Sequence, residues 1–328
     1  MPVLVDHGAT LDAAQYSNVI AVQTGSGRPQ SDRPERLRLA ECRIPGSVFA
    51  ELVSDTALRM DVEPRALSVR ALLHLPRVAT SSGWVTRTQI ARELSHSARR
   101  LHGDARAVQD LVPVRNFALQ ELIFAPIASA TAEAFFSSMH YLRSARPGSL
   151  NFALLDPVDQ LPVSLCSVSP LEWRRVGNQI HAQFQIPQDR TWDVSRVYSC
   201  AVAPPNAISF LLARVRSALR YGGNGIELLI TAVDPNLGFT GSSYRAANWR
   251  RWLTVQPRPY LYHDRRYASP RQLRHRFGTS NLAELQARHP GQRFEQSRTR
   301  LLDSLIFCCR LSRETEDVPP ELQRRLHR

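Results

Sequence analysis

Residues 226–249 read IELLITAVDPNLGFTGSSYRAANW. Positions 226–233 are an almost unbroken apolar run of strand length, which predicts a strand buried on both faces. The run stops at Asp234-Pro235-Asn236, three turn formers in a row. Gly238 and Gly241 give the following loop access to positive φ. From Ser242 the pattern turns helical, and Tyr244, Ala247 and Asn248 fall on one face by their i, i+3, i+4 spacing. Upstream, residues 207–219 form a helix with Ile208, Leu211, Leu212 and Val215 on one face, and residues 196–202 a strand. Strand, helix, strand is the unit that joins parallel neighbours in an α/β sheet.

Working outward, residues 150–155 and 162–168 flank the turn 156–159 and predict an antiparallel hairpin. Residues 180–186 are expected to continue the sheet. Residues 1–33 read as a polar arm. Residues 34–130 read as a mainly helical domain, with helices after Ser47 and Pro64, over 86–94, from Ser97, and over 117–123. Three short helices of this kind are winged-helix-like, with Ile90, Ala91 and Leu94 facing inward; a plain helical bundle has the same pattern. Residues 131–280 form the main domain, and 281–328 a basic, helical C-terminal extension.

Two loops leave the carboxyl ends of the central strands, where open α/β sheets place ligands. One holds Pro205, Asn206 and Ser209 at a helix start whose backbone N–H groups suit an anion. The other holds Asp234, Asn236 and Gly241.

Charge adds a second line. The chain has 42 basic residues against 29 acidic ones, and every basic residue is Arg. The absence of Lys excludes Schiff-base, lysine-adenylate and P-loop lysine chemistry. Residues 241–328 carry 18 Arg against eight acids, a surplus of +10. Arg presents a planar fork to phosphate, and a stripe of this kind is the footprint of nucleic-acid binding. Arg245, Arg265, Arg266, Arg271 and Arg274 are the expected contacts, interleaved with Tyr260, Tyr262, Tyr267 and Phe277, whose faces can stack on bases. DNA is the expected partner, with RNA or tRNA the alternative.

No run approaches 18 uninterrupted apolar residues, so no membrane span is expected. The first residues lack a basic segment followed by an apolar one, and the expectation is a cytoplasmic protein. Cys42, Cys166, Cys200, Cys308 and Cys309 show neither a CxxC pair nor zinc-finger spacing and suit buried free thiols. No sequence cluster marks a metal site, and oligomeric state is not legible.

The run DPNLGFTGSSYRAANW (234–249) resembles the GT-YRAANW-type segment of Mom-type phage DNA-modification enzymes and the matching segment of Druantia-type anti-phage defence proteins. Pro205-Asn206-x-x-Ser209, His140-Tyr141 and Ser195-Arg196 resemble further segments of the Mom-type enzymes, and the separations from Arg196 to Tyr244 are similar. The resemblance covers about 150 residues. It implies a GNAT-like fold (that of the GCN5-related acyltransferases) acting on nucleic acid. Mom-type enzymes convert adenine in DNA to a carbamoylmethyl derivative; related amino acid:DNA transferases attach amino acids to modified pyrimidines. By that resemblance Asp234 would be a base or an orienter for an amine, and Tyr244 an acid or hydrogen-bond donor to the leaving group. Arg196 and the loop Asn206–Ser209, with Asn236, Gly241 and Asn248, would hold the donor, and His140 and Tyr141 would border the acceptor pocket. Acyl-CoA-dependent members carry a glycine-rich loop where this chain has Pro204-Pro205-Asn206-Ala207. That substitution disfavours acetyl-CoA and leaves an amino acid or aminoacyl group as the alternative donor. Two other readings stay open: a non-catalytic DNA-binding defence protein, and an aminoacyl-tRNA-dependent transferase.

Overall fold

In a computed structural model, residues 20–22, 36–39, 47–311 and 325–326 are described. Most of the expected polar arm, and Cys42, lie outside them.

The N-terminal helices are α1 (Ser47–Met60), α2 (Pro64–Val78) and α3 (Arg87–Ala107). Strands β1 (Ile20–Val22), β2 (Arg36–Leu39) and β3 (Trp84–Thr86) form a small antiparallel sheet beside them. Pro64 opens α2, and the Glu63 carboxylate accepts from the Arg65 and Ala66 N–H groups, as an N-cap should. Thr86 and Gln89 form a reciprocal capping box at the start of α3. The expected break near Ser97 is absent. Ser97 is buried inside one continuous helix, with Ile90 and Leu94 fully inward and Ala91 half-buried. Nor is there a helix over 117–123: a single 3-10 turn (Leu119–Glu121) leads into strand β4 (Ile123–Pro126).

After β4 come α4 (Ser129–Ser138), β5 (Leu150–Leu155), β6 (Pro162–Pro170), α5 (Arg174–Phe184), β7 (Thr191–Ser199), α6 (Ala207–Tyr221), β8 (Leu228–Val233), α7 (Ser242–Ala246) and β9 (Arg250–Val255). The short strands β10 (Leu261–His263), β11 (Arg266–Tyr267) and β12 (Phe294–Gln296) form a separate ribbon, with α8 (Pro270–Phe277) and α9 (Leu282–Arg288) beside it. β13 (Ser304–Arg310) and β14 (Arg325–Leu326) return to the main sheet, whose order is β14-β9-β13-β8-β7-β6-β5-β4.

Two expectations change here. Residues 180–186 lie in and just after α5; its Val176, Ile180 and Phe184 recur at helical spacing and cover the sheet face formed by Leu228, Ile230, Trp252 and Ile306. Residues 281–328 are helical only over α9 among the described residues. β13 instead inserts between β8 and β9, antiparallel to both. Its Ile306, Phe307 and Cys308 are fully buried. A basic surrounding sequence hid this strand.

β4 to β7 pair antiparallel in sequence order. β7 and β8 are parallel, joined across one face by α6, which buries Leu211, Leu212, Val215 and Leu219. This order, with one parallel pair at its centre, is the GNAT-like arrangement. The β7–β8 ladder holds only at Thr191↔Leu228, Trp192↔Leu229 and Asp193↔Ile230. On the outer sides β6 still pairs with β7 as far as Ser199, and β13 with β8 as far as Val233. Only the central seam opens, so a gap forms between the carboxyl ends of β7 and β8.

β6 is buried along almost its whole length and carries three serines. Ser164 meets Ser199 at 2.6 Å, Ser167 donates to Asn151 at 2.5 Å, and Ser169 meets Ser195 at 2.8 Å. These pairings let polar side chains sit in the core beside the gap.

Candidate functional site

Two clefts reach the gap from opposite sides. A small one is walled by residues 238–244, Ile208, Arg65 and His140. A large one is walled by Asp234, Tyr260, Tyr267, Arg258, the start of α5 and the start of α8. Tyr141, Val194, Ser195, Arg196 and Ala232 line both and so form their junction.

Asp234 faces the large cleft alone. It follows the last residue of β8 and caps a 3-10 turn, accepting from the Asn236 N–H (3.0 Å) and the Asn236 side-chain amide (2.8 Å) through Oδ1. The Tyr260 hydroxyl donates to its Oδ2 at 2.5 Å. These donors fix the position of the carboxylate. Burial, with Asp234 beside it, drives the Tyr260 phenol far above its usual range, so it stays a donor. The Asn236 amide also donates to Leu302 O (3.0 Å) and accepts from Leu302 N–H (2.7 Å). Asn236 is therefore a brace that ties the Asp234 turn to the segment before β13.

Tyr244 faces the small cleft alone, from α7. Its ring lies on Phe307 at 5.9 Å and against Trp249 at 5.4 Å. The Thr231 hydroxyl is 3.3 Å from the Tyr244 oxygen and 3.0 Å from Val194 O, so it touches both sides of the gap. With one proton it donates to one of the two. Burial raises the Tyr244 phenol, which stays protonated. Gly241 permits this packing twice over. Its φ is +77°, and a Cβ there would meet the Phe307 ring at 2.4 Å.

Tyr141 and Arg196 stand at the junction. Burial and the nearby Asp234 raise the Tyr141 phenol. Arg196 donates to Ser144 O through Nε (2.8 Å) and to Ser195 O (2.6 Å). Among the described residues its hydrogen bonds run to carbonyls and a hydroxyl, not to a carboxylate. Its charge is thus left to act on the gap, although desolvation lowers its pKa. His140 is buried, and its Nδ1 accepts from the Leu142 N–H at 3.2 Å. Burial, then Arg196 and Arg70, push its pKa well down and keep the ring neutral.

The structure therefore brings together His140, Tyr141, Arg196, Asp234, Gly241 and Tyr244, with Arg271 and Arg274 on the large cleft. It leaves Pro205, Asn206, Ser209, Arg245, Asn248, Arg265 and Arg266 off both linings. Asn206 sits at φ +65° without capping α6 through its side chain, and the Ser209 hydroxyl turns back to Asn206 O. Pro204 and Pro205 have no N–H to offer an anion. The expected shared face of Tyr244 and Asn248 is absent, because α7 ends at Ala246 and Asn248 is exposed at φ +61°. Arg265 lies at the β10–β11 turn, also left-handed.

Sequence reasoning missed Thr231, Arg65, Arg146, Arg258 and the partnership of Tyr260 with Asp234. Tyr260 lay in the flagged aromatic run, but nothing local pointed it at Asp234. It is placed there because Tyr260, Tyr262, Leu237 and Leu301 share one hydrophobic core with the N-terminal helices. The Tyr262 hydroxyl donates to Leu73 O at 2.9 Å, and Arg298 N–H to Pro76 O at 2.8 Å. The N-terminal helices thus hold the Asp234 loop in place.

Among the described residues no group of three or more His, Cys, Asp or Glu could hold a metal ion, and no helix is long and apolar enough to cross a membrane. Cys166, Cys200, Cys308 and Cys309 are free and buried.

Of curated proteins, none matches the chain. Among solved structures, the ribosomal-protein-S5-alanine acetyltransferase from Vibrio fischeri is similar over 62% of this chain and 100% of its own, at 8% identity and TM-score 0.35. A protein classed as an acetyltransferase from Sphaerobacter thermophilus DSM 20745 matches over 58% and 93%, at 12% identity and TM-score 0.29. One classed as a phosphinothricin N-acetyltransferase matches over 58% and 99%, at 13% identity and TM-score 0.30. The sequence model of the Mom protein family matches residues 121–314, from just before β4 to just past β13. That match takes in every main-sheet strand except β14 and covers more than half of the 328 residues, and the chain belongs to the Mom protein family.

Proposed function

We propose that this GNAT-like group transferase attaches an acyl or amino-acid-derived group to a base in DNA. The carrying observation is the division of the site: Asp234 faces only the large cleft, Tyr244 only the small one, and the β7–β8 gap joins them. In this reading the small cleft takes the activated donor, with its carbonyl at the gap beside Thr231 and Arg196. The large, arginine-lined cleft takes the nucleic acid. A base must leave the duplex for its exocyclic amine to reach the gap.

An exocyclic amine of that base attacks the donor carbonyl carbon through the gap. The new N–C bond forms as the bond to the leaving group breaks. Asp234, held in place by Tyr260 and Asn236, orients the amine, and as a carboxylate it stabilises the positive charge building on its nitrogen; the amine proton leaves to water in the open cleft. Tyr244 donates its proton to the departing group and is reprotonated from solvent. The prolines at 204 and 205 argue against a pyrophosphate cradle at the α6 start, so an amino acid or aminoacyl donor fits better than acetyl-CoA.

Mass spectrometry of nucleosides from cells expressing the protein tests the reading. A new nucleoside that disappears with Asp234→Asn is the expected result. Tight DNA binding with no new nucleoside would instead leave a DNA-binding protein without transfer activity.

A further inference from the structure

Antiparallel neighbours can be joined by a two-residue hairpin. β6 and β7 are instead joined by residues 171–190, which include α5. The second part of this insertion is explained by burial, since Val176, Ile180, Phe184 and Ile186 cover the sheet. In its first part Leu171 is buried with them, and Glu172 pairs with Arg146 and Arg271. Trp173 is 36% exposed, Arg174 and Arg175 are exposed, and all three line the large cleft. Part of the Trp173 indole is thus open to the large cleft, beside two arginines. Across the same cleft stand Arg258 and, from α8, Arg274.

We propose that the Trp173-Arg174-Arg175 segment is a docking surface for unpaired DNA, with the Trp173 indole stacked on a base and the two guanidiniums on the flanking phosphates. This rests on the reading of the large cleft as the acceptor side and adds the element that grips the strand around the target base. A planar apolar face beside cationic forks is complementary to a single strand, whose bases expose their faces; in a duplex those faces are stacked away. The segment therefore selects for locally opened DNA, the form from which a base can enter the gap.

The test is fluorescence anisotropy of the full-length protein with a labelled oligonucleotide, offered as single-stranded DNA, as the matched duplex and as single-stranded RNA of the same sequence. Trp173→Ala is expected to weaken single-stranded DNA binding by about fivefold to a hundredfold, with Trp173→Phe keeping most of the affinity. The slope of log affinity against log salt should not change in either variant. Arg174→Ser with Arg175→Ser should reduce that slope by about one to two units. Melting temperatures near wild type in all three keep the readings free of misfolding, because the segment is exposed. Unchanged single-strand affinity in Trp173→Ala, beside a wild type that binds DNA, overturns this inference and leaves the transferase reading intact. A wild type that binds no DNA, or binds RNA better, overturns both.

Discussion

The two clefts on either side of the β7–β8 gap are built in different ways. The small cleft comes mostly from one stretch of chain, Thr231–Tyr244, with β7 opposite. The large cleft is assembled from the turn before β5, the insertion before α5, the segment after β9 and the start of α8. Local connection makes the first compact and shaped by aromatic packing and by Gly241. Distant convergence makes the second wide and rich in arginine. A fixed, close-fitting site suits a small donor, and a broad cationic one suits a polyanion that must be admitted and released.

The sharpest way to break this division is Asp234→Asn, which keeps shape and loses charge. Modification should fall by on the order of 10²–10³, with DNA affinity and melting temperature near wild type. Full turnover in a destabilised variant would reduce Asp234 to a brace for its loop. Tyr244→Phe should lower turnover less and leave DNA affinity alone, since it touches only the small cleft.

Gly241→Ala attacks the small cleft through its packing. The Cβ would enter the Phe307 ring in a left-handed backbone, and unfolding in denaturant should show a loss of about 1–3 kcal/mol. DNA affinity measured below the unfolding range should persist.

Salt tests the proposed role of the large cleft. Replacing Arg258, Arg271 and Arg274 with Ser should reduce the salt slope of DNA binding by up to about three units. Arg265→Ser with Arg266→Ser, off the lining, is the smallest effect expected and a control. If that pair matters as much as the cleft arginines, the nucleic acid runs over the β10–β11 ribbon instead.

Asp193, which lines the large cleft, is expected to make stability depend on pH. Burial pushes its carboxyl up to about 6, in spite of the ion pair with Arg146 at 3.1 Å. The folded state holds that proton more tightly than the unfolded chain. The stability from this group is complete below about pH 4 and is lost as pH rises through the folded value. The unfolding free energy of wild type relative to Asp193→Asn should therefore fall by on the order of 1–3 kcal/mol between about pH 4 and pH 7. A flat difference would mean that Arg146 keeps the carboxylate ionised throughout.

Legibility followed sequence distance. The residues 226–249 announced β8, its turn and the position of Tyr244, because apolar runs, turn formers and glycines act on their immediate neighbours. Asn248 was misjudged for a local reason too, since Ala246 ends α7 and the next residues turn away. Residues 180–186 look strand-like only without Val176, which with Ile180 and Phe184 makes the helical face of α5. β13 was hidden within a basic segment, although Leu305–Cys309 is itself a short apolar run.

By itself the sequence determined the family, the parallel strand–helix–strand unit at the centre of the sheet, the excess of arginine and the two residues, Asp234 and Tyr244, that end up on opposite sides of the gap. These rest on periodicity, turn chemistry and net charge, all short-range or additive properties. Only the tertiary structure decided that Tyr260 meets Asp234, that Asn236 is a brace, that Arg196 stands at the junction, and which arginines face the cleft. Each of those depends on contacts between segments tens to hundreds of residues apart. Such contacts are set by how apolar surfaces from α2, β10 and the Asp234 loop close over one another, and no local pattern encodes that.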